Sequence, residues 1–159
     1  MFISAIGQDS HRFETEDSKK PLILGGVVIP QARGLAGNSD ADVILHAVTN
    51  AVSGLSGVNI LGKVSDDLCL KQGITDSAVY LRKALETLNG WQINHVSVSV
   101  EARRPHLSKH IPAIRESLAE LLRLTVEHVG LTATTGEGLT SFGKGEGIQA
   151  FVSISAMKV

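Results

Sequence analysis

An extended apolar start, Met1-Phe2-Ile3-Ser4-Ala5-Ile6, runs directly into Gly7-Gln8-Asp9-Ser10-His11-Arg12. On an extended strand, side chains two residues apart point to the same face. Asp9 and His11 therefore stand side by side at the end of the strand. A carboxylate and an imidazole so placed are two-thirds of a three-ligand zinc site. His46, in the apolar run Val43-Ile44-Leu45-His46-Ala47-Val48, is a third candidate. Three protein ligands leave one coordination position open, which is the catalytic rather than the structural zinc pattern. Two local alternatives remain. Asp-x-His can be a turn residue beside a surface histidine, and a histidine on an apolar helix face can be a core residue bonded to a carbonyl.

The rest of the chain predicts an α+β, or mixed α/β, fold with about three helices against one sheet. Residues 1–7 read as a strand and residues 14–20 as a charged loop. Leu22 to Ile29 reads as a strand or hairpin pair broken by Gly25-Gly26 and stopped by Pro30. Ser39 is a good N-cap for a helix reaching about Leu55, with Asp40 and Asp42 at its positive end. The segment 56–73 reads as irregular. Thr75-Asp76-Ser77 opens a second helix that Asn89-Gly90 ends. Val96, Val98 and Val100 alternate with polar residues as in a half-buried strand. Pro112 lies near the start of a third helix running to about Leu124. Val129 to Thr135 and Ile148 to Met157 read as further strands.

No linker or repeat divides the 159 residues, which read as one domain, 1–159. Lys+Arg 15 against Asp+Glu 16 leaves a net charge of −1, which argues against nucleic acid as a partner. Cys69 is the only cysteine, so no internal disulfide can form. No apolar run approaches the length of a membrane span. The chain reads as soluble and cytoplasmic, a reading that a chain trimmed of a plastid transit peptide would share.

Four groups of residues can carry chemistry. The first is Asp9, His11 and His46, with Asp42 four residues before His46 as a ligand, a partner that orients His46, or a first-turn acid. The second is Thr134-Thr135-Gly136-Glu137, where hydroxyls and free backbone N–H groups suit phosphate and Glu137 suits Mg²⁺. The third, Gly138 to Gly145, nearly spells a P-loop. Gly145 stands at the Ser/Thr position and a strand follows, so a P-loop is rejected, while Lys144 remains an anion contact. The fourth is the basic loop Glu101 to His110, a clamp for polyphosphate or a solvated loop. No nucleophile is evident. A metal with phosphate cradles and no nucleophile points to phosphoryl transfer by positioning and charge neutralisation.

These residues resemble the 2-C-methyl-D-erythritol 2,4-cyclodiphosphate synthase family over essentially the whole chain. The anchors are Gly7-x-Asp9-x-His11-x-Phe13, Ile23-Leu24-Gly25-Gly26-Val27-x-Ile29-Pro30, Ser39-Asp40-x-Asp42-Val43-x-Leu45-His46-Ala47 and Asp76-Ser77. They continue with His110-Ile111-Pro112, Ala133-Thr134-Thr135-x-Glu137 and Gly143-x-Gly145-Glu146-Gly147-Ile148. The resemblance implies a homotrimer around a central β core, with active sites between subunits. It implies closure of 4-diphosphocytidyl-2-C-methyl-D-erythritol 2-phosphate to the cyclic diphosphate, with release of CMP. It implies zinc on Asp9, His11 and His46, and a second divalent ion, Mg²⁺ or Mn²⁺, on Glu137. Thr135 matches a position that stabilises the transition state. Asp9, Ser10, His11, Ser39 and Gly62 are implied substrate contacts. The resemblance implies that Thr134, Thr135 and the 102–108 loop, with Ala102, Pro105 and Leu107, hold the nucleotide end, that Gly136 and Glu137 also contact substrate, and that Lys144 matches an anion site.

The chain departs from the family pattern in several places. Asn38 replaces a histidine assigned to transition-state stabilisation, and Ile60 lies near the place of an Asp that binds ribose. His106 replaces Lys and Lys144 replaces Arg. Val64-Ser65-Asp66-Asp67 replaces a Phe-Pro-Asp stretch. Ser141 aligns with a Phe, with Phe142 one residue later. Two rival readings follow. One is a trimer that keeps zinc and phosphate affinity with weak or lost cyclisation, such as an isoprenoid-diphosphate sensor. The other is a zinc phosphohydrolase, which would need a base for water that the sequence does not offer.

Overall fold

The computed structural model describes residues 1–159. Four strands form one mixed sheet in the order β1-β6-β4-β5. They are β1 (Phe2–Arg12), β4 (Trp91–Glu101), β5 (Val129–Thr134) and β6 (Gly147–Lys158). β6 runs antiparallel to both β1 and β4, and β5 runs parallel to β4. A separate hairpin joins β2 (Pro21–Leu24) and β3 (Val27–Arg33). The helices are α1 (Val43–Ser56), α2 (Lys63–Gln72), α3 (Ser77–Leu85) and α4 (Ile111–Leu122).

Alternation along the strands separates the two faces of the sheet. Val96, Val98 and Val100 are buried, as are Ile148, Ala150, Val152 and Ile154, and they meet helix residues such as Ile44, Val48, Ile114 and Leu118 in one core. The opposite face, with Ser97, Ser99 and Ser153, is open. That is the pattern of a sheet covered on one side.

The closest contact in this packing is between α1 and β1. A Cβ on Gly7 would sit 2.0 Å from Ala47 O and 2.4 Å from Ala51 N. Only glycine lets the helix backbone descend this far onto the strand, and the descent brings His46 over Asp9 and His11.

Several expectations are corrected. β1 does not end at residue 7 but pairs with β6 as far as Arg12 opposite Gly147, so Asp9 and His11 lie within the strand. Pro30 does not stop its strand; β3 continues to Arg33. A two-stranded ribbon has only edge strands, which tolerate proline, and the ladder shifts register between Pro21 and Leu22. The segment 56–73 is not wholly irregular, because α2 occupies Lys63–Gln72. Its face is weak: Ser65 and Cys69 are buried while Leu70 is exposed. There are four helices rather than three. The second expected helix stops at Leu85, before Asn89-Gly90.

Ser39 is not the cap of α1. Asp42 is, and its carboxylate accepts hydrogen bonds from Leu45 N at 3.0 Å, Gly25 N at 2.8 Å and Gly26 N at 2.7 Å. Complete burial pushes this carboxyl up to about 6, against the pull of the three N–H donors. Asp42 thus ties α1 to the tip of the β2–β3 hairpin, and does not orient His46.

Gly7→Ala tests the close approach. The added methyl meets backbone rather than a movable side chain, so a loss of about 3 kcal/mol is expected by urea unfolding. A loss below about 1 kcal/mol would contradict the packing described.

Candidate metal centre and phosphate turn

Asp9 and His11 point from β1 towards α1, and His46 points from α1 towards them. His11 Nε2 lies 2.8 Å from Asp9 Oδ2, His46 Nδ1 lies 3.0 Å from the same oxygen, and the two nitrogens are 3.2 Å apart. His11 Nδ1 is 2.8 Å from Ala36 O. A carbonyl only accepts, so Nδ1 carries a hydrogen, and Nε2, beside Asp9, is the nitrogen available to a metal. Zinc at about 2.0–2.1 Å from each of three tetrahedral ligands separates them by about 3.3 Å. The observed triangle is close to that size, so the donor set fits a divalent ion with one side open. Burial works to raise the Asp9 carboxyl, but hydrogen bonds to His11 and His46 and their charge outweigh it and hold it at about 2. Burial works against a charged His11, yet Asp9 raises its pKa above the usual value.

The triad opens into a cleft of about 200 Å³. Asn38, Ser39 and Gly62 line it, together with Asn50, Ser65, Asp66 and Tyr80. Asn38 Nδ2 reaches Asp66 Oδ1 at 3.5 Å, a long contact. Asn50 is one helical turn after His46, so its place was legible from spacing. Asp66 was missed because α2 was not read. Ile60 is buried in the core and offers no polar group to the cleft.

The Thr134-Thr135-Gly136-Glu137 segment forms an exposed turn after β5. Its amides are not all free: Gly136 N donates to Thr134 Oγ1 at 3.3 Å and Glu137 N to Thr135 Oγ1 at 3.4 Å. Both bonds are long enough to yield to a stronger acceptor. Glu137 holds φ 54°, an uncommon conformation for a side-chain-bearing residue. Gly136 holds φ 75°, a conformation strained for any residue with a side chain, and a Cβ there would also displace the Glu101 carboxylate. The turn is fastened to the basic loop. Ala102 N donates to Thr134 O at 2.9 Å, Arg103 N to Phe142 O at 3.3 Å, and the Thr140 hydroxyl to Glu101. Ala102 and Leu107 are buried in the core, so only their backbone faces the loop surface. Pro105 is partly buried, and Lys144 is exposed on the adjoining turn. Ser10, Ser141 and Phe142 border a second hollow of about 320 Å³ beside His11.

Triad and turn lie at the same end of the sheet. Ser10 pairs with Gln149, Gln149 with Glu101, and Glu101 with Thr134. They stand on its two edge strands, β1 and β5, three strand spacings or about 14 Å apart. One chain therefore brings Asp9, His11 and His46 together and leaves Glu137 outside the cluster.

Fold and site define an α+β protein with a divalent-metal centre built between a strand and a helix. The model of the YgbB family matches residues 2–157, and the chain belongs to that family. A 2-C-methyl-D-erythritol 2,4-cyclodiphosphate synthase of Chlamydia muridarum is 46% identical over 154 residues, covering 96% of this chain and 86% of that protein. A solved 2C-methyl-D-erythritol-2,4-cyclodiphosphate synthase superposes with TM-score 0.87 at 33% identity, covering 98% of this chain and 100% of that one. A CDP-bound form of such a synthase gives TM-score 0.86 at 31% identity, with the same coverage of 98% and 100%. No helix is long and apolar enough to cross a membrane.

His46→Ala removes one vertex of the triangle. Bound divalent metal, measured after equilibration in metal buffer, is expected to fall well below one ion per chain with the far-UV spectrum unchanged. Metal content equal to the wild type would contradict the triad.

Proposed function

We propose that residues 1–159 form one catalytic domain that converts 4-diphosphocytidyl-2-C-methyl-D-erythritol 2-phosphate to 2-C-methyl-D-erythritol 2,4-cyclodiphosphate and CMP. A non-bridging oxygen of the 2-phosphate forms a bond to the β-phosphorus. The bond from that phosphorus to the α–β bridging oxygen breaks, and its electron pair leaves with CMP. The substrate carries its own nucleophile, which agrees with a site that offers none.

The observation that carries this reading is the pairing of a three-ligand metal triad with a Thr-Thr-x-Glu turn at one end of the sheet. When bound, zinc at Asp9, His11 and His46 and magnesium or manganese at Glu137 supply positive charge to the phosphate oxygens. The protein's own groups position the rest. The Thr135 hydroxyl donates to a phosphate oxygen where charge develops. The Asn38 amide does the same from the cleft wall in place of the family's histidine. Ser10, Ser39 and the Gly62 backbone border the sugar phosphate. Backbone groups of Ala102, Pro105 and Leu107, with Thr134 and Gly136, hold the cytidine diphosphate end. Lys144 supplies a charge to an anion, as a point rather than a fork.

Three strand spacings, about 14 Å, separate the strands that carry triad and turn, too far for one phosphate to span. A neighbouring copy that brings its turn to this triad closes the gap. The open sheet face supports such an assembly: Phe2, Ile6, Phe151 and Met157 are exposed on it, Ile6 at 79%. Apolar groups on a sheet face call for cover. A homotrimer around these faces, with three sites between subunits, satisfies both demands. The weakly cyclising alternative is not favoured, because a relative as close as 46% identical bears the synthase name.

Phosphorus NMR with the diphosphocytidyl substrate, Mg²⁺ and zinc tests the reading. Cyclic diphosphate and CMP are expected in equal amounts, and binding without cyclisation would overturn it. Asn38→His is expected to preserve or raise turnover in the same assay. A loss beyond tenfold would show that the cleft has been rebuilt around the Asn38 amide.

A further inference from the structure

An imidazole can present either nitrogen to a metal, and the partner of the other nitrogen decides which. His11 has a backbone carbonyl for this purpose. His46 has a side chain. Its Nε2 lies 2.8 Å from Oγ of Ser77, the first residue of α3, and Ser77 is fully buried. The Ser77 hydroxyl in turn makes a short hydrogen bond to Asp40 Oδ1. Ser77 N donates to Asp40 Oδ2 at 3.0 Å, and Asp42 N donates to Asp40 Oδ1 at 3.1 Å. Ser39 Oγ, at 3.5 Å from His46 Nε2, is too far to compete.

Counting hydrogens settles the direction. A carboxylate accepts and does not donate, so the single hydroxyl hydrogen of Ser77 goes to Asp40. The Ser77 oxygen then offers only lone pairs to His46, and Nε2 must carry a hydrogen to meet it. Nδ1, 3.0 Å from the Asp9 carboxylate, is left as the nitrogen for the metal, which takes the place of any hydrogen that Nδ1 directs at Asp9. The two histidines thus face the triad through opposite nitrogens.

We propose that Asp40 and Ser77 form a relay that fixes His46 in the Nε2–H tautomer and presents Nδ1 to the metal. The proposal rests on the metal reading of the triad. Ser77 is a positioning residue: it acts through His46 and is absent from the cleft lining. The relay also fastens the start of α3 to the loop before α1, so the ligand's orientation is set by two elements outside its own helix. Unlike the carbonyl that orients His11, it is removable by substitution.

The test uses the whole protein labelled with ¹⁵N-histidine at pH 8, and zinc affinity by competition with a chromophoric chelator. Wild-type protein is expected to keep a hydrogen on His46 Nε2 with and without zinc. Ser77→Ala is expected to weaken zinc binding 10- to 100-fold and to mix the tautomers in the metal-free state. Asp40→Asn offers an amide hydrogen where Ser77 donates. It is expected to turn the hydroxyl towards His46, raise the Nδ1–H population and weaken zinc by at least tenfold. A His46 Nε2 without a hydrogen in metal-free wild type would overturn the relay, as would Ser77→Ala affinity within twofold of wild type. A wild type that binds no zinc would refute the metal reading instead, and the tautomer spectrum would still judge the relay without any substitution.

Discussion

The structure depends on the close approach of α1 to β1 at Gly7. Two backbones touch where a side chain would ordinarily hold them apart. Every ligand of the metal centre follows from that contact. Asp9 and His11 come from the strand at alternate positions, and His46 comes from the helix that lies on it. Ligands on a paired strand and a packed helix are held more rigidly than ligands on loops, which suits a site that works by positioning.

Carboxylates at the start of α1 serve as joints in the same region. Asp42 gathers three backbone N–H groups and pins the hairpin tip to the helix. Asp40 gathers the amides of Ser77 and Asp42 together with the Ser77 hydroxyl. The family resemblance rests on a Ser-Asp-x-Asp-Val-x-Leu-His run, and these contacts give both acids distinct structural work. Neither is a ligand. Asp42 caps the helix and Asp40 reaches α3, so the histidine between β1 and α3 is gripped from both sides.

Much of this was legible in the sequence because it follows from short-range periodicity. The alternating valines of β4, the Asp76 cap of α3 and the Asp9, His11 pair all sit where spacing puts them. The failures share a physical cause. β1 runs beyond residue 7 because β6 pairs with it, and pairing is not visible in one strand. α2 buries too little to show a helical stripe. Asp42 rather than Ser39 caps α1 because a distant hairpin turn competes for that carboxylate. Ser77 reaches His46, and Asp66 and Tyr80 the cleft wall, through tertiary packing, with no local signal beyond their identity. The family resemblance supplied roles for Thr135, Glu137 and Gly62, whose local pattern reads equally well as turn.

The largest consequence lies in what one chain does not bring together. Its triad and its Thr134–Glu137 turn stand at opposite edges of one sheet end, and the other face of that sheet is uncovered. A complete site is therefore expected to be divided between copies of the chain. Subunit mixing tests this most directly. His46→Ala and Glu137→Ala are each expected to be inactive alone. Dissociated and reassembled together in equal amounts, they should recover about one quarter of wild-type cyclisation, because one interface in four then joins an intact triad to an intact turn. No recovery from mixed, properly assembled oligomers would contradict the divided site and place the reaction within a single chain.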